Sequence, residues 1–487
     1  MQVRSEKIFP VLVPRLIAKP ITAFNARALS ALVRVAGSAL GRRLTHIVDA
    51  LQSALESEQD EETKAALDDA LTAVLVSVED HESGLGSLQM HMLGLVKHES
   101  PKKRIVGCEL FARFCQATEA DFSDYVVDFI RQLVSLFDDR QPEVVGAAWS
   151  ALDALVKTIS KEQMEPLVVP LRRTIEGVGV PGHPVDGFSR PNGLKPILPI
   201  LLQGLLAGTA EQREQAAYGL GDLVERTSPE AFKAYCIQTV GPLIRVIGDR
   251  FPPPVKSAIL STLTTLLTRV PQFVKPFFPQ LQRTFVKSLV EPASLSVRNR
   301  AVAALGALMQ HQPRVDPLVT ELVNLTASEE GDVRDSVVNG LAATIASGGK
   351  NMSETSMSSA VDIISEAFAE SPKESYATAV ARLVAAVAQH SPDMLDFIIE
   401  SFILATSTDL PPTQLSALAL RELIDSAPAV LYEMNKDATV ERVIKAASGA
   451  ATGGTANPAI ARPARDTKEL MKERDPWRDD ESVLSRL

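Results

Sequence analysis

The sequence is poor in cysteine, in aromatic residues and in catalytic motifs, and each shortage excludes something. Three cysteines in 487 residues, Cys108, Cys115 and Cys236, cannot build a disulfide framework and fit a reducing compartment. Cys108 and Cys115 are two helical turns apart, about 10.5 Å, too far for a disulfide or a shared zinc ion. Core packing is their expected role. No apolar run is long enough to span a bilayer, and the first 20 residues are broken by Pro10, Pro14 and Arg15 where a signal peptide needs an apolar core. A cytoplasmic chain with no membrane partner is expected. The net charge of −10 argues against nucleic-acid binding over the whole surface, and no aromatic residues interleave with the basic ones. Sequence-specific nucleic-acid binding is therefore not expected.

Active-site patterns are missing as well. There is no P-loop, nucleophile elbow or kinase motif set, and the seven histidines are scattered without ligand spacing. Residues 177–182 spell Gly-Val-Gly-Val-Pro-Gly, a formal dinucleotide fingerprint. That mechanism needs a strand before it and a helix start after it, whereas a helical pattern precedes it and Pro181 interrupts it. A non-catalytic protein without cofactor or metal is the expectation.

What is present is a repeat. Segments such as VRNRAVAALGALM (297–309), VKSAILSTLTTLL (255–267), VRDSVVNGLAATI (333–345) and QREQAAYGLGDLV (212–224) place apolar residues on one helical face. Their anchors are Leu305, Leu263, Leu341 and Leu220, each followed three residues later by a second apolar position, with Thr344 the imperfect one. Leu32, Leu71, Phe111, Leu152, Leu383 and Leu420 extend the series. Successive anchors are 36 to 43 residues apart except for one 68-residue interval, the period of two-helix HEAT and armadillo repeats. A second amphipathic helix lies between anchors, as in LTHIVDALQSALE (44–56), DYVVDFIRQLVSLF (124–137) and MLDFIIESFILA (394–405). A helical hairpin with two apolar faces buries them only against its neighbours. The fold class is therefore all-α, a HEAT/armadillo-type alpha solenoid: a superhelical stack of about ten hairpins over residues 1–447.

Several local features refine this. Prolines at 166, 170, 196, 199, 276 and 279 predict bent first helices. Ser-Pro pairs at 100–101, 228–229, 371–372 and 391–392 predict helix starts with serine caps and proline in the first turn, and Ser371 with Glu374 forms a capping-box pattern. The 68-residue interval contains an extra helix (161–175) and then a loop insertion, about 176–196, with five glycines and four prolines. Phe188 and Arg190 are its candidate anchor side chains, packing inward or meeting a partner. Residues 448–487 read as a disordered or partly helical C-terminal tail, in which Trp477 is a docking residue or part of a frayed end. Charge is segregated. Residues 1–50 carry +6 and residues 51–100 carry −9, a pattern that steers partners or merely solvates a surface. The strongest basic cluster is SPKKR, with Lys102, Lys103 and Arg104, which suits an acidic protein surface or ribosomal RNA.

The stretches GFSRPNGLKPILPILLQGLLAGTAEQREQAAYGLGDLVERTSPEAF (187–232), VGPLIRVIGDRFPPPVKSAILSTL (240–263), FVKPFFPQLQRTFVKSL (273–289) and SVRNRAVAALGALMQHQPRVDPL (296–318) are more specific. They resemble the C-terminal part of the general-control-nonderepressible HEAT-repeat scaffolds, the translational activators of the starvation-sensing kinase. The resemblance is close over about 180–330 and looser elsewhere. It implies a scaffold on translating ribosomes whose C-terminal region binds the RWD domain of a kinase of initiation factor two alpha, with an ABC-type ATPase partner elsewhere. An arginine matters for the kinase contact in that family, and Arg104 and Arg113 are the candidates. Members are several times longer, so the chain is expected to correspond to a C-terminal portion, with ribosome contacts in upstream regions. The alternative is a HEAT-repeat adaptor of the transport-receptor or tubulin-binding type.

Overall fold

The computed structural model describes residues 5–78, 84–370, 372–391, 394, 397–398, 413–448 and 457–487. Among them every regular element is helical. The chain divides into two compact units, Met1–Val246 and Ile247–Leu487. In the first unit the longer helices are α1 (Ser5–Leu16), α2 (Ala23–Ala36), α3 (Leu44–Ser57), α4 (Glu61–Val76), α5 (Leu85–Val96), α6 (Pro101–Ala117), α7 (Ser123–Ser135), α8 (Pro142–Thr158), α9 (Val168–Glu176), α10 (Leu198–Ala207) and α11 (Ala210–Arg226). α12 (Cys236–Ile247) runs to the division. The second unit holds α13 (Pro253–Arg269), α14 (Phe278–Leu289), α15 (Leu295–Met309), α16 (Asp316–Ser328), α17 (Gly331–Gly348), α18 (Glu354–Ala369), α19 (Glu374–Ala388), α20 (Gln414–Ser426), α21 (Pro428–Ser448) and α22 (Pro458–Glu473).

Each unit is a HEAT-type stack of antiparallel pairs in two layers. In the first unit α2, α4, α6 and α8 pack in succession to form one layer, and α3, α5, α7 and α9 form the other. In the second unit α13, α15, α17, α19, α20 and α22 pack in the same way. The sequence anchors explain this layering. All ten fall on second-layer helices, and nine are buried: Leu71, Phe111, Leu152, Leu220, Leu263, Leu305, Leu341, Leu383 and Leu420. Each contributes about 1.5–3 kcal/mol relative to exposure. Leu32 is the exception. It is half-buried, and Leu29 and Val33 turn inward on either side of it. Most of 394–405 lies outside the described residues, as do Ser371 and Pro392.

A second register feature accompanies the anchors. Lys64, Arg104, Arg213, Lys256, Arg298 and Arg334 each stand seven residues before one. From there five of them reach a neighbouring turn or helix. Lys256 donates to Glu291 at 2.6 Å, and Arg298, itself buried, donates to Ser336 Oγ at 2.9 Å and to the Glu291 carbonyl at 2.9 Å. Arg213 donates to the Leu205 carbonyl at 2.5 Å. Arg334 lies 4.4 Å from the ring centroid of Tyr376, which occupies the same position of the next repeat. Arg104 belongs to this set.

The prolines act differently from the sequence expectation. Pro166 and Pro276 sit in 3-10 segments, Glu165–Leu167 and Lys275–Phe277, that join a four-residue helix to α9 and α14. Pro199 and Pro279 lie in the first turns of α10 and α14, where a missing N–H costs nothing. The expected bends are therefore 3-10 joints at helix starts. Pro101 and Pro229 also open helices, but Ser100 and Ser228 make no side-chain cap. The backbone N–H of Ser100 donates locally to His98 Nδ1, and that of Ser228 donates to Ser189 Oγ of the preceding segment. True capping boxes form at Ser160 with Gln163 and at Thr209 with Gln212.

The 68-residue interval is not a plain insertion. Asp186–Ser189 is a one-turn helix that packs on α8 and α11, the place of a second-layer helix. Phe188 is fully buried, 5.4 Å from Phe137 between ring centroids, and it divides the interval into 36 and 32 residues. The segment is thus an additional repeat whose second helix has shrunk to one turn. Its neighbours hold what remains. Arg226 donates from Nε to Val178 O and from Nη2 to Glu176 O, both at 2.8 Å, and Val185 N donates to Arg226 O at 2.8 Å. Gly187 lies so close to Phe137 that a Cβ there would collide with its side chain.

The C-terminal segment agrees with its partly helical reading and departs from the disordered one. Residues 449–456 lie outside the described residues, but from Pro458 onward the chain packs. α22 lies on α20 and α21, burying Ala461, Ala464, Thr467 and Met471, while its charged residues face out. Trp477 is wholly buried. Its Nε1 donates to Pro428 O at 2.8 Å, and its ring meets Tyr432 edge-on at 5.1 Å. A buried indole is neither a frayed end nor a docking residue. α21 and α22 form a further helical pair, and the charged side chains of α22 face solvent.

Two stability outcomes follow. Thr344 is completely buried and its hydroxyl has no hydrogen-bond partner among the described residues, so Thr344→Val replaces an unpaired polar group by a methyl. Chemical denaturation should show a gain of about 1 kcal/mol. Trp477→Ala removes a packed ring and should cost about 3–5 kcal/mol in the same measurement; no change would mean this helical pair does not pack as described.

Candidate partner-binding surface

The first turn of α6 carries three of the six candidate residues. Helix α5 ends at Val96, and Pro101 starts α6 after four intervening residues. Lys102 and Lys103 are exposed on the first turn of α6, with Lys103 Nζ 3.3 Å from His98 Nε2. Arg104 turns the other way. Its Nη1 donates to the carbonyls of His98 at 3.0 Å and Glu99 at 2.7 Å, and its Nη2 pairs with Asp139 Oδ2 at 2.9 Å. Asp139 in turn accepts from Gln141 N at the start of α8. Only 16% of the Arg104 side chain is exposed. It ties its own turn to the turn of the next repeat, as its place seven residues before Phe111 dictates. The two turns line a cleft of about 650 Å³ that includes Lys97, Arg104, Asp138 and Arg140.

Arg113 lies further along α6 and pairs with Asp68 on α4, with 40% of its side chain exposed. Arg27 of α2 donates to Glu62 of α4 at 2.7 Å, and His91 of α5 meets Asp49 of α3 at 2.8 Å. Of these pairs, Arg27–Glu62 joins the basic stretch 1–50 to the acidic stretch 51–100 across adjacent repeats. Exposed pairs of this kind contribute little stability.

The structure separates the two candidates of the 176–196 segment. Phe188 points inward and is unavailable to a partner. Arg190 is half-buried, its guanidinium 5.4 Å from the ring centroid of Trp149 on α8. Trp149 Nε1 donates to Asn192 O at 3.0 Å. Nearby on α8, Asp153 pairs with Lys157 at 2.6 Å and with Lys195 at 3.4 Å. This small aromatic and charged shelf was not singled out from the sequence, although Trp149 is one of only two tryptophans in the chain. The Gly-Val-Gly-Val-Pro-Gly segment binds back onto α11: Gly182 N donates to Glu225 O at 3.1 Å, so that N–H is not free to cradle a phosphate.

The cysteines are structural. Burial pushes the Cys108 thiol up to about 12 and the Cys236 thiol up to about 11, and raises Cys115 as well. Among the described residues no group of three or more His, Cys, Asp or Glu side chains could hold a metal ion, and no helix is long and apolar enough to cross a membrane.

Residues 8–192 match the family described as stalled ribosome sensor GCN1-like, HEAT repeats. The eIF-2-alpha kinase activator GCN1 of Saccharomyces cerevisiae is 38% identical over 436 residues, covering 89% of this chain and 16% of that protein. The protein ILITYHIA of Arabidopsis thaliana is 36% identical over 72% of this chain and 13% of its own length. The stalled ribosome sensor GCN1 of Homo sapiens is 36% identical over 70% of this chain and 13% of its own length. The solved structure of yeast importin-beta aligns with 99% of this chain and 72% of its own at 12% identity, with a TM-score of 0.47, too loose to bear on function. The chain belongs to the GCN1 family of HEAT-repeat proteins and spans about one-sixth of the length of the yeast relative.

Proposed function

We propose that this chain is a non-catalytic, cytoplasmic scaffold that helps activate a kinase of initiation factor two alpha by binding its RWD domain. The observation that carries this reading is the 38% identity to a protein named as an activator of that kinase, sustained over nearly nine-tenths of the chain. A stack of helical pairs suits the role, since it offers turns and helix faces as binding surface. The proposal gives this chain the kinase contact. Ribosome contacts and an ABC-type ATPase partner are left to the remaining length of the longer relatives.

Lys102 and Lys103 are the proposed contact residues, being exposed and cationic on the first turn of α6, between Pro101 and Arg104, which line the cleft. Arg113 and Arg190 are secondary, because each already meets another side chain. Arg104 acts indirectly by holding the turn that presents the two lysines.

The purified full chain should retain a purified RWD domain at micromolar concentration. Lys102→Glu with Lys103→Glu should weaken retention about tenfold or more with the melting temperature unchanged. Arg104→Ala, by contrast, should lower stability by about 2 kcal/mol, because it leaves Asp139 without its cation. No retention of the RWD domain by the wild-type chain would overturn the reading.

A further inference from the structure

A groove of about 460 Å³ opens where α6 and α8 end, the far side of the repeats from the Lys102–Lys103 turn. Helix α6 has 17 residues, so the two places are about 25 Å apart. The groove is lined by the turn Thr118–Ser123, by Val126 and Val127 of α7, and by Thr158, Ile159, Gln163, Pro166 and Leu167 of the next repeat.

Its floor is preformed. Phe122 lies 5.3 Å from Phe114 and 6.3 Å from Phe111, both edge-on, and Phe111 stacks on Phe129 at 3.5 Å. Four phenylalanines from α6, α7 and the turn between them make a rigid base in a chain with few aromatics. Ile159 and Val127 are half-buried and Pro166 is exposed, so apolar surface remains open to an occupant. A rigid apolar recess binds with less ordering cost than a mobile one.

The charge of the lining selects the occupant. Its ionic residues are Glu119 and Asp121, with no Lys or Arg among them. Asp121 also accepts from Ser123 N at 3.0 Å, which keeps its carboxyl ionised below the usual carboxylate range. Glu119 is exposed on the same turn. An apolar floor with an acidic rim complements an apolar side chain flanked by a cation.

We infer that this groove is a docking site for a protein segment presenting paired aliphatic side chains bordered by lysine or arginine. The inference does not rest on the kinase reading, which concerns the opposite ends of these helices. Specificity comes from the rim, and affinity comes from the aliphatic side chains against Ile159, Val127 and Leu167.

The test uses the full chain and two fluorescein-labelled ten-residue peptides, one centred on Lys-Leu-Leu-Lys and one on Glu-Leu-Leu-Glu, read by anisotropy at low ionic strength. The lysine peptide should bind at least fivefold more tightly, and 1 M salt should remove the preference. Glu119→Lys should reduce its binding about fivefold, and Val127→Arg should abolish it. Equal affinity for both peptides, no measurable binding, or an unchanged affinity in Glu119→Lys would overturn the proposal. If circular dichroism shows that Val127→Arg does not fold, Glu119→Lys still decides, since an exposed side chain is replaced there.

Discussion

A helical hairpin with apolar residues on two faces cannot shield both by itself, and everything else in this protein answers that constraint. Each second-layer helix needs another on either side. Nine of the ten anchors, Leu71 through Leu420, are buried in the packed layers of their own unit. The constraint also fixes where polar chemistry can go. Within a repeat most of it lies at the turns and at the edges of the layers, with buried exceptions such as Thr344 and Gln89. The basic residues seven positions before the anchors sit at that boundary and stitch one repeat to the next.

Much of the architecture was legible because burial at a helix face leaves a period in the sequence. The anchor series located ten second-layer helices in advance. What escaped had physical reasons. The repeat around Phe188 keeps its anchor but only one turn of helix, and a single turn has no periodicity to detect. The segment from Pro458 is rich in alanine and charge, so its composition resembles that of a flexible tail. Its small buried face is completed by Trp477, which lies outside the helix.

The candidate surface was legible only in part. Composition marks Lys102, Lys103 and Arg104 as one basic cluster, whereas the helix sends the first two outward and the third into the seam. The register could have separated them, because Arg104 stands where Arg298 and Lys256 stand in their own repeats. The groove floored by Phe122 leaves almost no trace in one sequence. It is made from the ends of two successive repeats, and residues about 40 apart must be brought together before it exists.

The three thiols have one further consequence. A group with a pKa of about 12 is ionised at neutral pH in roughly one molecule in 10⁵, and only the ionised form attacks peroxides or electrophiles. Cys108, Cys115 and Cys236 lie within the packed layers, out of reach of such reagents. Burial thus leaves these three side chains the work of packing between helices and makes them poor targets for thiol oxidation.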